Sequence, residues 1–260
     1  MDNPVVSSGK TVGKPIKCRA AVARKAGEPL VIEEVFVGPP KSEEVRMKII
    51  CTSLCHSDIT IWKMESTQLC MFRIYITKID PTMPPNKACL LSCGASTGVG
   101  AAWKSAKVEA GSTVAIFGLG SVGLSVAEGA RLCGAVKIIG VDVNPDKFDM
   151  SKAFGVTDFV DSRNCGEKRL SEVINEMTGG GADFCFECVG KASLVDEAFA
   201  CCRKGWGKTI VVGVDKPDSQ LTFGSFDVLH LGKTIMGSLF GGLKPKRDVP
   251  ILVKRYMDKV

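Results

Sequence analysis

The chain has 260 residues, 45% hydrophobic and 24% charged, enough for one large or two modest globular domains and unlike a disordered chain. Its net charge of +6 is spread along the sequence, with no like-charge run beyond short pieces such as Lys244 to Arg247, so it reads as solvated surface and argues against nucleic acid as a partner. No apolar run is long enough to span a bilayer, and Lys10, Lys14, Lys17, Arg19 and Arg24 flank no continuous apolar core, so no membrane partner is expected and the default location is cytoplasmic.

Residues 1–14 are polar and contain Gly and Pro, which predicts a loose arm. Short strand-like pieces follow at 17–23, 30–37 and 44–50, the last alternating Val45, Met47 and Ile49, and their spacing predicts an antiparallel, partly barrel-like domain. Residues 65–79 have no clear period, although 75–79 has the composition of a strand. Pro81, Pro84 and Pro85 then break the chain before a helical stretch.

After Ala95 strands and helices alternate. Strands are expected at 113–117, 137–142, 158–160, 183–187, 208–212 and 234–239, and helices at 122–133, 145–154, 170–178 and 194–204. Six strands separated by crossovers predict an α/β fold with a doubly wound, six-stranded parallel sheet. Gly134, Gly155, Gly179, Gly205 and Gly207 fall near helix ends, where left-handed turns are needed. Residues 248–258 predict one more helix, and no internal repeat is evident.

The most specific stretch runs from Thr113 to Asp142. An apolar strand leads into Gly118-Leu119-Gly120-Ser121-Val122-Gly123, then a helix, a second apolar strand and a terminal acid. In a dinucleotide-binding βαβ unit Gly118 makes the tight turn, Gly120 lets the backbone approach a pyrophosphate, and Gly123 lets helix and strand pack closely. Asp142 follows Gly120 by about 20 residues, the spacing of a carboxylate that accepts from the adenosine ribose hydroxyls. The same carboxylate would repel a 2′-phosphate, which favours NAD over NADP. Lys147 is either a donor to that ribose or a solvated lysine in the next helix.

Twelve cysteines are many for this length. Without a signal peptide they divide between metal ligands or reactive thiols and small buried hydrophobes. Cys185 and Cys188 form a CxxC spacing inside an apolar strand-like run, where a core strand is favoured over a redox motif; Cys201 and Cys202 read as packing. Two clusters precede the glycine-rich turn: Cys51-Thr52-Ser53-Leu54-Cys55-His56-Ser57-Asp58, and Cys89 to Gly98 with Cys93 at its centre.

With these two clusters and the βαβ fingerprint, the sequence resembles the zinc-dependent medium-chain alcohol dehydrogenases, in the branch of the plant alcohol dehydrogenase-like and glutathione-dependent formaldehyde dehydrogenases. The resemblance covers 14–62 and 79–258 nearly continuously. It implies a Rossmann NAD-binding domain at 95–240, a truncated, mainly β, GroES-like catalytic domain at 1–94, and a remnant of the return to that domain at 241–260. Cys55 and Cys93 match two ligands of a catalytic Zn2+, which lowers the pKa of a bound alcohol so that hydride passes to the nicotinamide. Ser57 matches the hydroxyl that carries the alcohol proton outward. His56 matches a pyrophosphate contact and Thr97 a nicotinamide contact, and Val122, Val212 and Val214 are assigned to the cofactor as well. Thr60 stands where some members carry a relay histidine. The implied reaction is hydride transfer between NAD and a primary alcohol, or a hydroxymethyl thiol adduct, with an aldehyde-level product. The implied assembly is a homodimer through the edge at 221–240, or a heterodimer with a full-length relative.

The chain departs from the family between the two clusters. Cys93 follows Cys55 by only 38 residues, and the sole histidines are His56 and His230. The Gly-His-Glu motif carrying the third zinc ligand and the four-cysteine structural zinc lobe are missing, so the catalytic site is expected to be incomplete and the structural site absent. Cys51, Glu65 and Cys70 are the substitutes at hand, none at a position the family aims at the metal. The second reading is therefore a truncated, non-catalytic module for NAD binding and dimerisation. A short-chain reductase fits poorly because Tyr256, the only tyrosine after the fingerprint, lacks the lysine of a Tyr-x-x-x-Lys pair.

Overall fold

The computed structural model describes residues 11–63, 76–216 and 218–259. Two compact units divide the chain into 1–74 and 75–260. Most of the expected amino-terminal arm, Glu65 and Cys70 lie outside the described residues.

In the first unit, β1 (Ile16–Val22) and β2 (Val31–Val37) form an antiparallel pair in the register Ile16 to Val37 through Val22 to Val31. Cross-strand charges fasten the pair: Arg24 grips Glu33 with two hydrogen bonds at 3.1 and 2.6 Å, and Lys17 meets Glu34 at 2.7 Å. Helix α1 (His56–Lys63) begins where Asp58 folds back to accept the Cys55 N–H at 2.8 Å, half of a capping box. The strand expected at 44–50 does not form. Its alternating Val45, Met47 and Ile49 are all exposed, because no neighbouring strand among the described residues offers them a ladder.

The second unit is built on one six-stranded parallel sheet. After α2 (Pro85–Ala88) and a short 3₁₀ turn (Cys89–Ser92), α3 (Gly94–Gly100) continues into a π-helical segment (Ala101–Ala106). The sheet then alternates with helices: β3 (Thr113–Phe117), α4 (Ser121–Leu132), β4 (Lys137–Asp142), α5 (Lys147–Lys152), β5 (Asp158–Asp161), α6 (Leu170–Thr178), β6 (Phe184–Glu187), α7 (Ala192–Ala200), β7 (Lys208–Val211), α8 (Ser225–Leu231) and β8 (Thr234–Gly237). A 3₁₀ turn (Leu239–Gly242) and α9 (Pro245–Asp258) complete it. Ile76–Asp80 carries no strand, and the first residue of the strand expected at 75–79 lies outside the described residues.

The strands lie in the order β5-β4-β3-β6-β7-β8, so successive crossovers run outward in one direction from β3 and then in the other from β6. That reversal opens a crevice at the carboxyl ends of β3 and β6. Alternate residues of each strand enter opposite cores, as period-two geometry requires. Val114, Ile116, Ile138, Phe184, Phe186 and Ile210 pack under α4 and the π-helical segment, whereas Ala115, Phe117, Ile139, Val141 and Cys185 pack under α6 and α7. Covering both faces is why these strands read as nearly unbroken apolar runs. Gly134, Gly155, Gly179 and Gly205 have the expected positive φ. Gly207 does not; it is needed because a Cβ there would stand 2.4 Å from the Arg203 carbonyl oxygen.

Candidate functional site

The turn from β3 into α4 is assembled from three glycines with three tasks. Gly118 adopts φ +93°, a conformation costly for any residue with a Cβ. A Cβ on Gly123 would lie 1.8 Å from the Gly118 carbonyl oxygen, so the helix sits directly on the turn. Gly120 is exposed, a Cβ on it would meet nothing within 4 Å, and no side chain caps the helix it begins. The first-turn N–H groups of α4 are thus free of a side-chain cap at the positive end of a twelve-residue helix, next to the open side of Gly120 and with Val122 half-buried among them.

Asp142 closes β4 beside this turn with its side chain almost wholly buried. Its Oδ2 accepts the Leu119 N–H at 2.8 Å and the Lys147 ammonium at 2.9 Å, and Oδ1 accepts the Asn144 N–H at 3.0 Å. Burial alone raises the carboxyl, but the hydrogen bonds from Lys147, Leu119 and Asn144 outweigh it and hold Asp142 below the ordinary aspartate range. The acid therefore braces the glycine turn through Leu119. Lys147 is half-buried and ion-paired, not a solvated lysine.

The opposite wall comes from the loops after β6 and β7. Val189 packs so tightly on the turn that a Cβ on Gly118 would meet its Cγ2 at 2.6 Å. A Cβ on Gly190 would lie 2.3 Å from the Val214 carbonyl oxygen, so the two loops touch backbone to backbone. Through these contacts the structure brings Val212 and Val214 to the edge that holds Gly118, Gly120, Val122, Gly123 and Asp142. Beneath them lies Glu187, wholly buried, a residue the sequence reading did not single out. Burial pushes its carboxyl above the ordinary glutamate range despite hydrogen bonds from the amides of Gly190 and Val189, and the charge of Asp215 pushes the same way. The signal that could have found it is the one used for Asp142: an acid ending an otherwise apolar strand.

Helix α3 delivers Thr97 and Cys93. A Cβ on Gly98 would lie 2.4 Å from the Val122 carbonyl oxygen and one on Gly94 would lie 2.7 Å from Ser121 Oγ, so α3 runs along the first turns of α4 with almost no separation. Thr97 is half-buried, its N–H donating to the Cys93 carbonyl at 2.8 Å. The turn at Phe240 and Gly241, both with positive φ, presses on the same helix: a Cβ on Gly241 would stand 2.6 Å from the Thr97 carbonyl oxygen.

Cys55, His56 and Ser57 lie at the start of α1 in the first unit, with Cys55 and Ser57 half-buried and His56 exposed; Cys93 belongs to the second unit. Among the described residues no cluster of three or more His, Cys, Asp or Glu side chains is arranged to hold a metal ion. Cys185 and Cys188 face opposite cores of the sheet, as a strand dictates and a redox pair does not allow. Cys201 packs behind Cys185, with 3.6 Å between the sulfurs.

Sheet order, switch-point crevice and glycine turn define a Rossmann-type α/β domain of the dehydrogenase class. A sequence model of the family described as "Zinc-binding dehydrogenase" matches residues 121–257, and the chain belongs to that family of oxidoreductases. It is 49% identical to "Alcohol dehydrogenase-like 7" of Arabidopsis thaliana over 344 aligned positions, covering 96% of this chain and 88% of the relative. Those 344 positions exceed the 260 residues of the chain by 84, so at least that many positions of the relative face a gap. The benzyl alcohol dehydrogenase of Acinetobacter calcoaceticus is 32% identical with a TM-score of 0.66, over 70% of this chain and 49% of that one. An "Alcohol dehydrogenase zinc-binding domain protein" of Burkholderia ambifaria shares the fold, with a TM-score of 0.83 over 95% of this chain and 90% of that one at 22% identity. These likenesses favour an alcohol dehydrogenase-like oxidoreductase over a non-catalytic module.

Proposed function

We propose that the chain binds NAD in the crevice between the β3–α4 turn and the loops after β6 and β7, as an oxidoreductase acting on a primary alcohol or a hydroxymethyl thiol adduct. The observation that carries this is the uncapped start of α4 at Gly120, open where a Cβ would fill the space, next to a buried carboxylate held ionised. When bound, the nicotinamide supplies the hydride acceptor. The amides of α4 hold the pyrophosphate, and Asp142, still with accepting capacity on Oδ1, takes the ribose hydroxyls and repels a 2′-phosphate. Thr97, on a helix packed against α4, and Val212 and Val214 on the far wall line the rest of the seat, and the family resemblance assigns His56, in the first unit, a pyrophosphate contact. Ser57 is the hydroxyl assigned to carrying the alcohol proton outward.

The metal does not fit as well as the dinucleotide. Cys55 and Cys93 are the two thiol donors at hand, one in each unit, and a catalytic zinc takes three protein ligands. A cytoplasmic location is part of the same proposal; separately, none of the described helices is long and apolar enough to cross a membrane. Phe226, Leu229 and Leu239 stand exposed around the edge strand β8, which supports pairing of two copies, or of one copy with a longer relative, along that edge.

The test is titration of the purified chain with NADH, followed by absorbance assays with a panel of primary alcohols with and without added zinc. Saturable NADH binding is expected. A folded chain that binds no NADH refutes the cofactor assignment, and one that binds NADH yet turns over no alcohol in any condition refutes the reaction.

A further inference from the structure

Four backbone N–H groups converge on Glu187. Its Oε1 accepts those of Val189 and Gly190 at 2.8 and 2.7 Å, and its main-chain carbonyl accepts those of Val212 and Gly213, both at 2.9 Å. The two pairs belong to the two loops that form one wall of the crevice. The residue is wholly buried, and Oε2 has no hydrogen-bond partner among the described residues. A Cβ on Gly213 would lie 2.7 Å from that oxygen, so the second loop rests directly on the carboxyl group. The first loop in turn carries Val189 against Gly118, which links Glu187 to the glycine turn by continuous contact.

A fully buried carboxyl with one bare oxygen is an expensive way to end a strand, since an apolar side chain would fill the same space without that desolvation. Sheet pairing does not require it: β6 pairs with β3 and β7 through its backbone alone. What the side chain adds is the pair of bonds to Val189 and Gly190. We infer that Glu187 is a positioning residue for the dinucleotide, holding the 188–190 and 212–214 loops as a single preformed wall against the β3–α4 turn. The inference rests on the cofactor reading above. A preformed seat spares the ordering of two loops on binding, so loosening it weakens the complex without touching any group that contacts the ligand.

Two conservative variants of the full chain separate this role from simple packing. Glu187→Gln keeps an acceptor at Oε1 and a neutral group of the same size at Oε2; Glu187→Asp is one methylene too short to serve both amides. NADH titration is expected to give Glu187→Gln a Kd within about twofold of wild type and Glu187→Asp a Kd weaker by about tenfold or more. Amide hydrogen exchange, which needs no ligand, is expected to quicken at 188–190 and 212–214 in Glu187→Asp and to stay at wild-type rates in Glu187→Gln. Wild-type exchange in Glu187→Asp overturns the inference, even for a chain that fails to take up NADH, and so does a Glu187→Gln variant as weak as Glu187→Asp. Should Glu187→Asp fail to fold, Glu187→Met, which keeps the length of the side chain but offers no acceptor to the Val189 and Gly190 amides, carries the same pair of measurements.

Discussion

Lys147 Nζ stands 2.9 Å from Asp142 Oδ2, and that same oxygen holds the Leu119 N–H inside the glycine turn. The ion pair is therefore part of what shapes the turn, and its loss reaches Gly118 to Gly123 through a single hydrogen bond.

Lys147→Met tests the electrostatics. Asp142 titrates below its ordinary value of 3.8 in the folded chain, so its contribution to stability is present above that value and is lost as pH falls through the folded one. Removing Lys147 shrinks the contribution. Urea unfolding is expected to show the variant less stable by about 1 kcal/mol at neutral pH, with the gap closing as pH falls below the ordinary aspartate value and through the folded one. A gap of constant size at every pH would refute the assignment.

The glycines of the turn divide sharply. Gly123→Ala forces a methyl into the Gly118 carbonyl, 1.8 Å away, and should destabilise the fold by about 3 kcal/mol or prevent it. Gly120→Ala adds a methyl to open space, so thermal stability should stay within about 0.5 kcal/mol of wild type while NADH affinity falls. Equal stability loss in both would count against a ligand role for Gly120.

Glu187 gives the opposite pH slope from Asp142. Burial lifts its carboxyl above the ordinary 4.5, so the stability it contributes is fully present below pH 4.5 and declines as pH rises through the folded value. Wild-type stability relative to Glu187→Gln, which carries no titrating proton, should therefore fall between pH 4.5 and neutrality. Parallel curves for the two chains would show that Glu187 is ionised throughout.

Thiol chemistry should be selective. Cys51 is exposed, whereas Cys185 and Cys201 are buried and burial, aided by the charge of Glu187, pushes the Cys188 thiol far above its ordinary range. Iodoacetamide at neutral pH, read by mass spectrometry of peptides, is expected to label Cys51 rapidly and to leave Cys185, Cys188 and Cys201 unmodified until the chain unfolds. Early labelling of Cys188 would mean that its wall of the crevice opens.

The exposed edge around β8 is testable by size. Leu229 is 77% exposed on α8, and Leu229→Glu places a charge on that edge without disturbing a core. Sedimentation should show a dimer for wild type and a monomer for the variant; identical mass for both chains would discard the proposed interface.

Much of the second unit was legible beforehand because its strands are buried on both faces, and burial writes itself as apolar runs punctuated by glycine. The six sheet strands fall where expected, with Thr113–Phe117 and Lys137–Asp142 matched to the residue. The first unit was less legible. Residues 44–50 have the alternation of a strand, but alternation describes a surface waiting for a partner, and no pairing forms there among the described residues.

The sequence by itself determined the dehydrogenase family, the glycine turn and the acid at the end of β4, since each is a local pattern whose spacing follows from backbone geometry. Only the tertiary structure decided what those groups face. That Asp142 braces Leu119 while paired to Lys147, that Gly207 yields room to a carbonyl where a left-handed turn was expected, and that Glu187 gathers amides from two loops all depend on segments distant in the chain being brought within hydrogen-bond or van der Waals reach, and no local period encodes that distance.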